Sequence, residues 1–234
     1  MSVRLAVRHR GEERTGLVKT EESWAAAARR LASGWLGDPM PIDLAGDPKV
    51  FVVDPLTVVA VRPMTRGDLP VMARWRTEPH VHRWWAEDGE PTLAAVTEKY
   101  APRIEGETPT TMWVAEVNGR SVGFLQDYRL SDYPDYAVLC PDPQAVGVDY
   151  AIGELAWVGR GIGARVLWAW MLRARSRFPE VTSYFAAPDH RNEASLRMLD
   201  KAGFVRGTWF DEPRSDDGVD TVVGCTLDVA TVLG

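Results

Sequence analysis

The chain has 234 residues, 45% of them apolar, and a formal net charge of −6, enough for one large domain or one domain with an appendage. The acidic balance argues against a nucleic-acid partner; no apolar run reaches the roughly 18 residues of a membrane span, and Met1-Ser2-Val3-Arg4 opens no apolar signal core. Cys140 and Cys225 stand far apart, which points to a reduced, cytoplasmic protein, and no Cys/His cluster has the spacing of a metal site.

Residues 1–56 read as an N-terminal extension. Good helix formers run from Thr20 to Leu36, with Trp24, Ala28, Leu31 and Trp35 at helical spacing. A turn-rich stretch follows, and Val50–Val53 is a short apolar strand stopped by Asp54-Pro55. From residue 57 to 234 the pattern is regular. Val58–Arg62 predicts a strand, Arg66–Arg76 a helix and Thr92–Ile104 a second helix behind Pro91. Met112–Val117 and Ser121–Tyr128 predict strands around Asn118-Gly119, a strong hairpin signal. Val146–Ile152 predicts a strand, Gly163–Phe178 a helix, Val181–Ala186 a strand, Asn192–Ala202 a helix, and Phe204–Phe210 and Thr221–Leu227 the last strands. The order predicts an α/β (α+β) fold: a mixed, mostly antiparallel central sheet flanked by helices, with a helical appendage at the N-terminus.

Gly159-Arg160-Gly161-Ile162-Gly163-Ala164, directly before a helix, is the most informative string. Glycines let the backbone turn sharply and bring N–H groups close to an anion, and the helix start adds free donors and a positive dipole end. The same run also fits a plain strand-to-helix turn. No Lys-Ser/Thr follows, so it is not a P-loop, and its late position and G-x-G-x-G spacing do not fit a dinucleotide fingerprint.

The charge is uneven. Asp127, Asp132, Asp135, Asp142, Asp149 and Glu154 fall within residues 127–154 against Arg129 alone. Asp211, Glu212, Asp216, Asp217 and Asp220 crowd residues 211–220 against Arg214. Such runs are solvated loops or, if they line a cleft, attractors of a cation.

The element order with a glycine loop after the fourth domain strand resembles the GNAT superfamily of N-acetyltransferases, whose loop pattern is Q/R-x-x-G-x-G/A; here Val158 stands at the Q/R position, a mild departure, and Gly161 and Gly163 match the rest. The segment from Asn192-Glu193-Ala194-Ser195 to Lys201-Ala202-Gly203-Phe204 is similar to a second GNAT segment. Within the superfamily, Val81-His82-Arg83-Trp84-Trp85, the hairpin Asn118–Tyr128 and Gly147-Val148-Asp149 resemble the aminoglycoside 6'-N-acetyltransferases. The resemblance implies acetyl-CoA as co-substrate, no metal, and the 6'-amine of an aminoglycoside as acceptor: a cationic small molecule on a monomer or homodimer. It implies that Trp157, Val158, Gly159, Arg160, Gly161, Ile162, Gly163 and Ala164 hold the cofactor together with Asn192 and Ser195, with Trp157 and Val158 at the end of the fourth strand beside the pantetheine arm. Arg165 is a further candidate for a phosphate.

Acetyl transfer needs a neutral amine, and a carboxylate near the ammonium can anchor it and take its proton. The resemblance gives that place to Asp149. Trp84 and Trp85 can wall the acceptor site, covering sugar carbons and attracting ammonium groups. Gln126 and Tyr128 share a strand face with alternate spacing and are candidates for hydrogen bonds to the acceptor. His190 reads as a surface-loop residue. Two departures stand out: Leu199 where many GNATs place a tyrosine acid, and Ala187 where these enzymes often carry an aspartate. Siderophore-type lysine or hydroxylysine acyltransferases share the flavour of Pro188–Asn192 but usually carry His where Asp149 stands. A non-catalytic acyl-CoA-binding scaffold is the remaining alternative.

Overall fold

The computed structural model describes residues 4–9, 12–17, 58–85, 89–137, 140–213 and 218–233. In the extension it shows two antiparallel strands, β1 (Arg4–His9) and β2 (Glu12–Leu17), with Arg4 opposite Leu17. The sequence reading did not anticipate this pair, although the short apolar run Leu5-Ala6-Val7 stands ahead of Gly11. The expected helix at Thr20–Leu36 and strand at Val50–Val53 lie outside the described residues.

The remaining strands are β3 (Val59–Pro63), β4 (Thr111–Val117), β5 (Arg120–Arg129), β6 (Val146–Ile152), β7 (Ser183–Ala186), β8 (Val205–Pro213) and β9 (Val219–Asp228). They form one seven-stranded sheet in the order β3-β4-β5-β6-β7-β9-β8. Every neighbouring pair is antiparallel except β6 and β7. The β4–β5 turn is fixed by Asn118 (φ 52°) and Gly119 (φ 74°), both left-handed, the geometry of a two-residue hairpin.

Period-two alternation sends neighbouring strand residues to opposite faces. Trp113, Ala115 and Val117 join one core with Leu125, Val166, Trp170 and Leu199, while Met112, Val114 and Phe124 join another with Met72, Trp75 and Tyr100. The second core is covered by α1 (Leu69–Thr77), α2 (Pro79–His82) and α3 (Leu93–Ile104); the first by α5 (Ile162–Arg177), α6 (Glu193–Ala202) and the terminal α7 (Val229–Leu233). A short α4 (Pro134–Ala137) sits in the β5–β6 connection. The sequence reading missed α2, α4 and α7, which are too short to establish a helical period. It also ran Arg66–Arg76 as one helix, where a 3-10 turn at Arg66–Asp68 leads into α1.

Asp127, counted above among the acidic run, faces the interior instead of solvent. It is fully buried on β5, where its carboxylate accepts from Trp113 Nε1 (2.7 Å), Trp170 Nε1 (2.9 Å) and Arg177 Nη1 (2.5 Å). These bonds tie β4, β5 and α5 together and satisfy a charge that burial alone would make costly.

One irregularity of the sheet positions the site. β6 pairs with β5 along its whole length, to Ile152 opposite Gly123, but with β7 only at Val146 and Gly147. Beyond Gly147 the two parallel strands separate. Pro188, two residues past β7, has no N–H with which to extend a ladder. The gap between them is where the clefts described next converge.

Candidate active site

A cleft of about 400 Å³ runs beside the glycine loop, lined by Trp157, Val158, Gly159, Gly161, Ile162, Gly163 and Ala164 on one side and by Asn192, Ser195 and Met198 on the other. Gly159 (φ 77°) and Gly161 (φ 74°) both take the left-handed conformation that only glycine adopts without strain. A Cβ at either would meet nothing within 4 Å, so the loop's face is open to a ligand. Gly161 caps α5, whose first N–H groups have no acceptor in the helix. Free donors, a positive dipole end and an open concave backbone together fit a pyrophosphate. Gly163 serves a different purpose: a Cβ there would fall 1.8 Å from Met198 Sδ, so this glycine lets α5 and α6 approach closely.

Two expectations about the loop need correction. Arg160 is not among the cleft's lining residues; it is exposed, and its guanidinium stacks 5.7 Å from the Trp157 ring. Trp157 and Val158 line the cleft but do not lie at the end of the fourth domain strand, which closes at Ile152. They follow a 3-10 turn, Leu155–Trp157, in which the Trp157 N–H bonds Glu154 and the Val158 N–H bonds Leu155. Those N–H groups are therefore occupied and not free to pair with an amide arm. Tyr150, Ala151 and Ile152 line the cleft at the strand end instead.

A second cleft of about 210 Å³ opens between β6 and β7, lined by Asp149, Ala187, Asp189, Glu212 and Asp220. Trp84, Trp85, Tyr150, Asn192 and Ser195 line both clefts and mark their junction. Trp85 also packs edge-on against Phe124 (5.2 Å) and under the buried Arg76 guanidinium (5.2 Å), which donates to the Trp85 carbonyl at 2.8 Å. Trp84 carries Arg83 over its ring at 4.9 Å. Asn192 caps α6 by accepting from the Ser195 N–H (3.1 Å).

Asp149 sits half-buried on β6. Its Oδ2 accepts from Gln126 Nε2 at 2.7 Å, and Tyr128 hydrogen-bonds the same carboxyl group. Gln126 in turn accepts from Arg103 Nη1 at 2.5 Å. Burial raises the Asp149 pKa above the ordinary carboxylate value, against the pull of Gln126, Tyr128 and the cations Arg103 and Lys99. A carboxylate raised toward neutrality is better matched to taking a proton from an ammonium. Gln126 and Tyr128 were expected to meet the acceptor. The structure turns their polar ends onto Asp149, and neither is among the residues lining the acidic cleft. The Tyr128 ring is admitted by Gly147, where a Cβ would lie 2.8 Å from it.

The sequence reading missed Tyr150 and Asp189. Asp189 is held below its ordinary pKa chiefly by Arg191, whose guanidinium lies 2.5 Å away and also reaches Asp220 at 3.4 Å. Glu212 and Asp220 belong to the acidic run noted earlier, so that run supplies a cleft as well as a loop. His190 lies outside the lining of both clefts, with Nδ1 3.0 Å from the Thr221 carbonyl and its ring 5.5 Å from Trp209. Leu199 is fully buried. Among the described residues no His/Cys/Asp/Glu group could hold a metal, and no helix is long and apolar enough to cross a membrane.

Comparison with known proteins agrees with this geometry. A family model described as an acetyltransferase (GNAT) domain matches residues 65–212. An aminoglycoside N(6')-acetyltransferase type 1 of Klebsiella pneumoniae is 31% identical over 150 residues, 63% of this chain and 74% of the relative. The lysine N-acyltransferase MbtK of Mycobacterium tuberculosis is 26% identical over 179 residues, 74% of this chain and 80% of the relative. Among solved structures, AAC(6')-Ib in complex with paromomycin and acetyl-CoA superposes with a TM-score of 0.64 at 28% identity, covering 74% of this chain and 94% of that one. The same enzyme with coenzyme A and kanamycin gives 0.64 at 28%, covering 74% and 96%. The chain therefore belongs to the GNAT acetyltransferases and is an N-acetyltransferase of that family.

Proposed function

We propose that this enzyme transfers the acetyl group of acetyl-CoA to an amine of a polycationic small molecule, the 6'-amine of an aminoglycoside. The observation that carries the reading is the meeting of an open glycine cradle with an acidic cleft, with Asp149 on the acidic side of the junction. Bound in the larger cleft, acetyl-CoA supplies a thioester carbonyl open to attack. The loop N–H groups and the start of α5 hold its phosphates. Relatives whose names specify aminoglycoside 6'-acetylation, and neighbours solved with kanamycin or ribostamycin, support the choice of acceptor.

Each residue's part follows from its surroundings. Glu212, Asp189 and Asp220 give the cleft its acidic character, reduced where Arg191 pairs with two of them. Trp84 and Trp85 present ring faces that cover sugar carbons and attract ammonium groups. Asp149 receives an ammonium and takes its proton, directly or through water, leaving a neutral nucleophile. Gln126, Tyr128 and Arg103 hold the carboxylate in place behind it. The free, buried thiols of Cys140 and Cys225 suit a cytoplasmic enzyme.

The reading is tested by a ladder of acceptors. Release of CoA thiol is followed with glucosamine, lysine and kanamycin at increasing ionic strength. The expected kcat/KM climbs by at least about tenfold from lysine to kanamycin and falls as salt screens the cleft. Lysine turned over as efficiently as kanamycin would move the enzyme to the lysine-acylating relatives.

A further inference from the structure

We propose that Tyr150 and Ser195 form the leaving-group site of this enzyme, a hydroxyl pair that donates a hydrogen bond to the sulfur of the departing thiol. The inference rests on the reading of the glycine-lined cleft as the acetyl-CoA cleft.

The reacting carbonyl has to lie where both substrates reach, and that is the junction. Trp84, Trp85, Tyr150, Asn192 and Ser195 line both clefts. Of these, the two indoles and the Asn192 amide, whose oxygen caps α6, carry N–H donors. Tyr150 and Ser195 are the hydroxyl-bearing residues of the set, and their oxygens lie 2.6 Å apart. Two hydroxyls bonded to each other own two hydrogens. One lies in the shared bond, and the other is left to point at a third group. The pair is also rigidly placed: Ser195 is in the capped first turn of α6, and Tyr150 is on the paired strand β6.

Successive residues of a strand face opposite sides. Asp149 lines the acidic cleft, while its neighbour Tyr150 lines both. The strand thus offers a proton acceptor to the attacking nitrogen and, one residue on, a hydrogen-bond donor to the leaving sulfur. In the step itself, nitrogen forms a bond to the carbonyl carbon and the carbon–sulfur bond breaks, with its electron pair passing to sulfur. The nitrogen's second proton goes to water, or to Asp149 once Asp149 has passed the ammonium's first proton to solvent. The sulfur, stabilised by the free O–H of the pair, takes its proton from solvent on release, and both hydroxyls keep their own hydrogens. Burial raises the Tyr150 pKa, which keeps the phenol a donor throughout the working range; its titratable neighbours are Asp149 and Cys225.

The test needs no acceptor. Affinities for CoA and for desulfo-CoA, which lacks the thiol, are measured by calorimetry from about pH 6.5 to about pH 9.5. A hydrogen bond to a charged sulfur lowers the bound thiol's pKa by about one unit from its solution value near 8.5. The wild-type preference for CoA over desulfo-CoA is therefore expected to grow about tenfold across the range, and in Tyr150→Phe to stay nearly flat. Ser195→Ala, which leaves the phenol in place, is expected to give a smaller loss in the same direction. In turnover, Tyr150→Phe is expected to lower kcat about tenfold with the KM for acetyl-CoA unchanged. A Tyr150→Phe enzyme that keeps the full wild-type pH dependence would overturn the proposal while leaving the cleft assignment standing. Failure of the wild type to bind either nucleotide would overturn both.

Discussion

Replacing Asp149 by alanine is expected to lower kcat with kanamycin by about a hundred- to ten-thousand-fold, the usual contribution of a positioned general base. The affinity for acetyl-CoA is expected to hold within about twofold, because Asp149 does not line the larger cleft. Loss of fold does not account for such a result. The Asp149 pKa is raised in the folded chain. A carboxyl group of that kind makes folding less favourable as pH rises through its unfolded value near 3.9, and the cost persists at neutral pH. Asp149→Asn is therefore expected to unfold at the same temperature as the wild type or higher, while remaining nearly inactive. For the wild type, kcat/KM should rise with pH until Asp149 has ionised, at a pH above the ordinary carboxylate range. Stopped assays for CoA thiol, calorimetry and thermal melts separate the three quantities.

The second large effect is the reverse. Gly161→Glu is expected to weaken acetyl-CoA binding by two to three orders of magnitude and to leave binding of kanamycin alone within about twofold. Two causes add. A non-glycine residue held at φ 74° costs about 1–3 kcal/mol, and a carboxylate on the open face of the loop repels a pyrophosphate at a helix start that favours anions. With about 1.4 kcal/mol for each factor of ten, the two together reach the stated range. Gly161→Ala isolates the first cause and should weaken binding about tenfold. Equal binding of acetyl-CoA by Gly161→Glu and wild type would remove the loop from the site.

The order of strands and long helices was legible because the chain states it redundantly. Asn118-Gly119 dictates a two-residue hairpin, Asn192 and Gly203 bracket α6 as cap and left-handed stop, and β6 was read to its observed bounds. The glycine loop was legible as a sharp turn into a helix, and Gly159 and Gly161 take positive φ there. What a string cannot show is which of two similar residues turns inward. Asp127 and Asp149 look alike in an acidic run, yet one is sealed among two indoles and a guanidinium while the other faces a cleft. Gln126 and Tyr128 were read on the right face but toward the wrong partner, because the register that sets Gln126 opposite Asp149 is a tertiary fact. Trp157 and Val158 were placed at the end of the fourth strand by the resemblance, and a 3-10 turn of three residues, too short to leave a period in the sequence, separates them from it. Tyr150 escaped notice for a related reason: its partner Ser195 lies 45 residues away on another element. The absence of a tyrosine at Leu199 drew attention to a missing donor, and the core position of Leu199 shows that no donor is held there.

Geometry and family agree on acetyl transfer, so the decisive question is where the acetyl group goes. The most direct measurement is position-resolved: enzyme, acetyl-CoA and kanamycin are incubated, and the product is analysed by mass spectrometry and two-dimensional NMR. The account predicts a single added acetyl group on the 6'-nitrogen, with one CoA thiol released for each, and no product from paromomycin, whose 6'-position carries a hydroxyl. Acetylation at another ring nitrogen, or no acetylation of kanamycin beside efficient acetylation of the lysine ε-amine, would contradict it.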